Sequence, residues 1–248
     1  MNIALILAAG SGTRMGNADK PKQFLPIYGK PLMIHTIEAF EINDDVDKIV
    51  IVTNEQYIDQ VKVWCKQYDL SKVRGVVAGG NSRQISVYNG LKAVEELVSS
   101  PDDIIVIHDA ARPLISQKII NDNIAVCKKF GAVDTVIKAS DTIIRSKDNE
   151  IISDIPNRNE LYQGQTPQTF KFKIIKDAHE KALKEDIPNV TDDAKLVLSF
   201  GIDVHLVEGS AQNFKITTFD DLMMLKTLLS MSSTVSMNFS MTPGEVTL

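Results

Sequence analysis

Along most of the chain, short apolar runs alternate with stretches of helical periodicity. Residues 3–7, 49–52, 73–77, 104–107 and 133–137 are runs rich in Ile, Val and Leu, as expected of strands buried on both faces. Between them lie amphipathic stretches. In residues 82–98, Val87, Leu91, Val94 and Val98 recur every three or four positions, which places them on one helix face. Residues 31–42, 55–67 and 116–129 follow the same rule. This alternation predicts an α/β fold: a Rossmann-like three-layer domain whose mostly parallel mixed sheet has helices on both sides.

Residues 139–157 break the rhythm. Asp141-Thr-Ile-Ile-Arg and Glu150-Ile-Ile-Ser-Asp flank the turn-forming Ser146-Lys-Asp-Asn149, which predicts an inserted β-hairpin arm. Two strands alone are marginal in water, so the arm is expected to pack on something, such as a second subunit. Helices are expected near 171–184, 191–200 and 219–230, and strands at 203–207 and 214–217. Thr191-Asp192-Asp193 supplies a cap and two acids at a helix start, and Gly201 a stop. Residues 1–230 are thus read as one domain, with 139–158 as its arm. Residues 231–248, rich in Ser, Thr and Met, are read as a tail or linker.

Composition narrows the function without choosing it. The 248 residues are 44% hydrophobic and 24% charged, with a net charge of -5, which is ordinary for a globular chain. With no basic run, nothing points to nucleic acid. No apolar run reaches the roughly 18 residues of a membrane span. MNIALILAAG reads as a strand rather than a signal peptide, so a cytoplasmic location is expected. Cys65 and Cys127 form neither a disulfide framework nor a metal pair, and both are expected as reduced thiols within helices. His35, His179 and His205 show no metal or triad spacing. His108 is expected as a packed histidine at a strand end.

The most informative stretch follows the first strand: Leu7-Ala-Ala-Gly-Ser-Gly-Thr-Arg-Met-Gly-Asn17. Its glycines permit a tight turn whose successive N–H groups can cradle an anion, and Ala8, Ala9 and Ser11 leave room for a nucleotide. It is not a dinucleotide fingerprint, because Met15 stands where the third glycine belongs, and it lacks the Gly-Lys-Ser/Thr ending of a P-loop. Arg14 lies inside the loop and Lys22 follows in Pro21-Lys-Gln23. Two cations beside a phosphate cradle suit a triphosphate. Asp109, at the end of a buried strand, stands where open α/β sheets bind ligands. It can hold a hydroxyl, help organise Mg²⁺, or simply cap the next helix.

Taken together, the loop with Pro21-Lys-Gln23, Gly79-Gly-Asn-Ser-Arg83, His108-Asp-Ala-Ala-Arg-Pro113, Asp141-Thr142, Arg158-Asn159, Gln165-Thr-Pro-Gln168, Thr191-Asp192 and Asn213-Phe-Lys-Ile-Thr217 resembles the sugar-phosphate nucleotidyltransferases. More narrowly, it resembles the branch of cytidylyltransferases acting on 2-C-methyl-D-erythritol 4-phosphate or ribitol 5-phosphate. The resemblance covers roughly residues 1–230. It implies CMP transfer from CTP to a polyol phosphate, with a divalent cation such as Mg²⁺ and release of pyrophosphate. Arg14, Lys22 and Lys215 would stabilise charge on the phosphates. Ala8, Ala9, Gly10, Ser11, Gly12, Gly80, Asn81 and Ser86 would hold the nucleotide. Asp109, Arg112, Thr142, Arg158, Thr166 and Thr191 would line the acceptor side, with Asp109 also the candidate metal ligand. Arg158 would reach a partner subunit's substrate, implying a homodimer through the 139–158 arm.

The motif spellings divide on the acceptor. Thr191-Asp-Asp-Ala-Lys195 and the segment running to Gln165-Thr-Pro-Gln168 look closer to the ribitol 5-phosphate enzymes. Ala8-Ala-Gly10 is more usual in the methylerythritol enzymes. The balance of motifs favours ribitol 5-phosphate and hence CDP-ribitol, a precursor suited to teichoic-acid or capsule-like polymers. The alternatives are the methylerythritol enzyme of isoprenoid synthesis and a non-catalytic nucleotide-binding module of the same fold.

Overall fold

The computed structural model describes residues 1–10, 21–185, 187, 190 and 192–239, with side chains through residue 231. In chain order the elements are β1 (Asn2–Ala8), β2 (Pro26–Ile27), β3 (Lys30–Pro31), α1 (Leu32–Glu41), β4 (Lys48–Thr53), α2 (Ile58–Gln67), β5 (Val73–Ala78), α3 (Arg83–Glu95), β6 (Ile104–Asp109), α4 (Gln117–Phe130) and β7 (Ala132–Lys138). They continue with β8 (Arg145–Ser146), β9 (Ile152–Asp154), β10 (Tyr162–Lys171), α5 (Phe172–Lys184), α6 (Asp193–Ser199), β11 (His205–Glu208) and α7 (Phe219–Phe239). Seven strands form one sheet in the order β11-β7-β10-β6-β1-β4-β5. Within it β10 runs antiparallel to both neighbours, and the other pairings are parallel.

The period-2 geometry of a strand explains why the central runs are apolar throughout. Along β1, Ala4 and Ile6 point to one face, where they join Ile34, Ile37 and Phe40 of α1 and Ile120 and Ile124 of α4. Ile3 and Leu5 point to the other, against Val87 and Leu91 of α3 and Ile175 of α5. Both faces are therefore covered, as the alternating pattern predicts. At the end of α4, Gly131 takes φ +92°, a left-handed turn that only glycine enters cheaply.

Three elements differ from the sequence reading. The strand expected at 214–217 is absent, because this stretch is pinned instead by Asn213 and Ile216 to the β6–α4 connection. A ten-residue strand, β10, occupies Tyr162–Lys171, a stretch to which the sequence reading assigns no element; proline cannot donate to a ladder. The ladder accommodates the proline by a register shift between Gly164 and Gln168. Finally, α7 continues past Met231 to Phe239, consistent with a chain free of glycine and proline until Pro243.

The inserted hairpin is present: β8 and β9 pair antiparallel, away from the main sheet. Among the described residues no helix is long and apolar enough to cross a membrane.

Candidate active site

The carboxyl ends of β1 and β6 open into a cleft of about 520 Å³, where ligands bind in open α/β sheets. One wall is Ala8, Ala9 and Gly10 at the end of β1; the opposite wall is Gly80, Asn81 and Ser86 at the start of α3; Lys22, Asp109 and Lys215 complete it. All of these are residues expected from the sequence. The two walls approach closely, since a Cβ on Gly79 would lie 2.5 Å from that of Ala9. A side chain there would have no room, so glycine is required by packing. The Gly80 N–H donates to Ser86 Oγ at 3.0 Å, and Ser86 Oγ donates to the Ser82 carbonyl at 2.8 Å. Those bonds shape the loop entering α3.

Local packing places each cation. Lys22 starts a short 3₁₀ turn, Lys22–Phe24, anchored by Phe24 edge-on to Tyr57 and Trp64. Its Nζ donates to the Ile216 carbonyl at 2.7 Å. Lys215, the neighbour of Ile216, places Nζ 2.8 Å from Asp109 Oδ2. Its segment is held on both sides. The Asn213 amide donates to Gln165 Oε1 and the Thr166 carbonyl, and the Ile216 N–H donates to the Ala111 carbonyl.

Asp109 is buried, yet its carboxyl is held well below the usual carboxylate range. Burial opposes ionisation, but the nearby charges of Lys215, Arg83 and Arg112 outweigh it. Arg112 Nε lies 3.7 Å from Asp109 Oδ2. Thr166 Oγ1 accepts the Asp109 N–H at 3.1 Å and contacts His108 Nδ1 at 3.0 Å. Burial pushes His108 down to about 4. It is therefore a neutral, packed strand-end histidine at physiological pH.

The match to known proteins is decisive at this point: the sequence model of the family described as 2-C-methyl-D-erythritol 4-phosphate cytidylyltransferase (IspD) matches residues 2–231. The chain belongs to this family. It is a cytidylyltransferase, an enzyme of nucleotidyl transfer from CTP to a phosphorylated acceptor. Among solved structures, the 4-diphosphocytidyl-2C-methyl-D-erythritol synthase of Anaerococcus prevotii is 31% identical, with a TM-score of 0.78 over 92% of this chain and 96% of that one. The Francisella tularensis 2-C-methyl-D-erythritol 4-phosphate cytidylyltransferase is also 31% identical, with a TM-score of 0.76 over 90% and 97%. The Thermus thermophilus enzyme of the same name is 28% identical, with a TM-score of 0.74 over 93% and 100%. All three carry the methylerythritol name, whereas the motif spellings had favoured ribitol.

Within the family frame, the remaining expected residues sort by position. Arg112 and Thr166 bear on the cleft through Asp109. Thr142 and Arg158 lie outside the cleft on exposed chain at the base of the arm, where Arg158 Nη1 donates to the Ser140 carbonyl at 2.9 Å. Ser11, Gly12, Arg14 and Thr191 lie outside the described residues. Gln23 and Arg83, neither singled out in the sequence, also line the cleft. Gln23, quoted in Pro21-Lys-Gln23, is buried and donates to the Ala8 and Gly10 carbonyls at 2.6 and 2.9 Å. Arg83, quoted in Gly79-Gly-Asn-Ser-Arg83, places Nη1 2.6 Å from Asp193 Oδ2.

Asp193 belongs to a buried polar group that sequence spacing does not reveal. His179 Nε2 meets its Oδ1 at 3.0 Å, so His179 has a structural role. Gln168 Oε1 accepts the Asp193 N–H, and Gln168 Nε2 donates to Asp134 Oδ1 at 3.0 Å and Asp192 Oδ2 at 2.8 Å. Asp192 also caps α6 by accepting the Lys195 N–H.

Burial first, and then the charge of Asp192, push Asp134 up to about 7, against the hydrogen bond from Gln168. A raised carboxylate pKa means that the folded state binds the proton more tightly than the unfolded one. Asp134 therefore costs nothing near pH 4 and costs progressively more stability as pH rises to about 7. Asp134→Asn keeps an oxygen acceptor for Gln168 and removes that cost. The expected result is a gain on the order of 2 kcal/mol at pH 8 that disappears at pH 4. Chemical denaturation at the two pH values measures it, and a gain of equal size at both would contradict the assignment.

Proposed function

We propose that the cleft binds CTP with its base beside Gly80, Asn81 and Ser86 and its phosphates between residues 8–10 and the Lys22–Lys215 pair. An oxygen of the acceptor's phosphate attacks the α-phosphorus. A new P–O bond forms there as the bond to the β-phosphate breaks, and pyrophosphate leaves with the electron pair. The acceptor phosphate is already largely anionic near neutral pH, so no protein base is needed. What the site must do is hold two polyanions in line and stabilise the added charge. Lys22, Lys215 and Arg14 would do so, with Asp109, Arg112 and Thr166, together with Thr191, Thr142 and Arg158, on the acceptor side.

The observation that carries this reading is the coupling of two cations across one cleft. Lys22 Nζ bonds the carbonyl next to Lys215, and Lys215 Nζ bonds Asp109. Of the described cleft-lining residues, only Asp109 is a carboxylate, and no cluster of three or more candidate ligands occurs among the described residues. That donor set fits Mg²⁺, which is held by one or two carboxylates, substrate phosphates and water rather than by a protein cage. Such an ion would supply charge neutralisation at the phosphates, with Asp109 as its protein ligand.

For the acceptor we propose 2-C-methyl-D-erythritol 4-phosphate, on the strength of the family description and the names of the similar structures, which would place the chain in isoprenoid synthesis. Ribitol 5-phosphate is the second reading, favoured by the spelling Thr191-Asp-Asp-Ala-Lys195. Pyrophosphate release with CTP and each acceptor, side by side, separates them. The expected result is a kcat/KM at least about tenfold higher with the methylerythritol phosphate, a gap worth about 1.4 kcal/mol. A reversed ratio would assign the enzyme to ribitol.

The arm supports a homodimer. Ile143, Ile144, Ile151, Ile152 and Ile155 are 37–68% exposed along one short hairpin, a density of apolar surface that ordinarily marks an interface. Replacing Ile144 and Ile152 by Ser should convert a dimeric mass to a monomeric one in sedimentation at micromolar protein. A wild-type chain that already sediments as a monomer would remove the arm from this role.

A further inference from the structure

We propose that Arg83 and Gln84 are positioning residues that clasp Val190 and Asp193 to the nucleotide loop, and thereby set the spacing between the two substrates. The proposal rests on the reading of the cleft given above. Its basis is a contact pattern at the start of α3. The loop 79–82 is fixed from within by Ser86. The next two side chains, on successive residues, both reach the same distant segment. Gln84 Oε1 accepts the Val190 N–H at 2.8 Å, and Arg83 Nη1 lies 2.6 Å from Asp193 Oδ2. Gln84 is 4% exposed and the Asp193 side chain 2%, so neither contact is a solvated surface pair.

The clasped segment is held from its other side by β10. Gln168 accepts the Asp193 N–H and donates to Asp192. Gln168 stands two residues beyond Thr166, whose hydroxyl accepts the Asp109 N–H. Val190, Asp192 and Asp193 are therefore suspended between the loop assigned to the nucleotide and the strand assigned to the acceptor. Apolar packing could hold the segment with similar stability, since a buried ion pair is weak evidence for stability in itself. A directional clasp adds a fixed distance. In-line transfer depends on such distances, because small displacements of a bound reactant are costly.

A positioning role and a merely structural one predict different kinetics. Gln84→Ala removes the acceptor for the Val190 N–H. The expected result is a rise of about tenfold in KM for the polyol phosphate, with KM for CTP within about twofold of wild type. Arg83→Lys keeps the charge but loses the planar fork, and should shift the same constant in the same direction. This variant carries the test should Gln84→Ala fail to fold. Gln84→Glu retains an oxygen acceptor and should restore the polyol KM to within about threefold of wild type. A fall in melting temperature with both KM values unchanged would overturn the clasp, as would equal rises in both. Wild-type enzyme that turns over neither polyol phosphate would overturn the reading of the cleft, and the clasp with it. Turnover by wild type with an unaltered polyol KM in the variants would overturn the clasp alone.

Discussion

Lys22→Ala is expected to lower kcat by about 10²–10³-fold, equivalent to roughly 3–4 kcal/mol of lost transition-state stabilisation, while the melting temperature moves by only a few degrees. The two halves of this expectation have separate causes. Lys22 is half-buried at the cleft, and its Nζ donates to the Ile216 carbonyl. The fold around it is carried instead by the buried neighbours Gln23 and Phe24. Its ammonium group faces the space assigned to the triphosphate, where charge builds as pyrophosphate departs. Turnover of the purified variant, alongside its thermal melt, checks both parts. A variant within a few-fold of wild type would remove Lys22 from the chemistry.

Asp109→Ala should be destabilising as well as inactive. Asp109 is the carboxylate shared by Lys215 at 2.8 Å and Arg112 at 3.7 Å, with Arg83 also lowering its pKa. Removing it leaves the largely buried Arg112, whose Nε already lacks a hydrogen-bond partner, facing other cations without its principal counter-charge. Breaking a buried pair from one side costs about 3 kcal/mol or more, which for a chain of this size lowers Tm by roughly 10 °C. Thermal melting and pyrophosphate release together test this. Because the wild-type carboxyl stays ionised well into acid, the difference in Tm should persist at pH 5. A variant that melts with wild type would mean that Asp109 does not neutralise this cluster.

Much of the architecture can be read locally. Runs such as Ile49-Val-Ile-Val52 are apolar at every position because helices cover both faces of the sheet, and the Ser146-Lys-Asp-Asn149 turn marks the arm. β10 escapes such a reading for a physical reason. Its polar residues are buried yet satisfied from far away, Gln165 by Asn213 and Gln168 by Asp134, Asp192 and Asp193, and no local pattern records partners so distant. The site divides in the same way. Lys22, Asp109 and Lys215 are found through motif spelling and do meet at one cleft. Arg83 ends the Gly79-Gly-Asn-Ser-Arg83 motif and Gln84 follows it, but their significance depends on residues more than a hundred positions away. The acceptor is harder still. Ribitol and methylerythritol phosphates present similar charge and similar hydroxyls, so a few motif letters weigh little against the whole-chain match.

The most direct test of the account is a crystal structure with CTP and magnesium. The account predicts the triphosphate between residues 8–10 and the Lys22–Lys215 pair, with cytosine against Gly80 and Ser86. A nucleotide bound elsewhere, such as over the depression between Lys171 and Lys181, with this cleft empty, would contradict it.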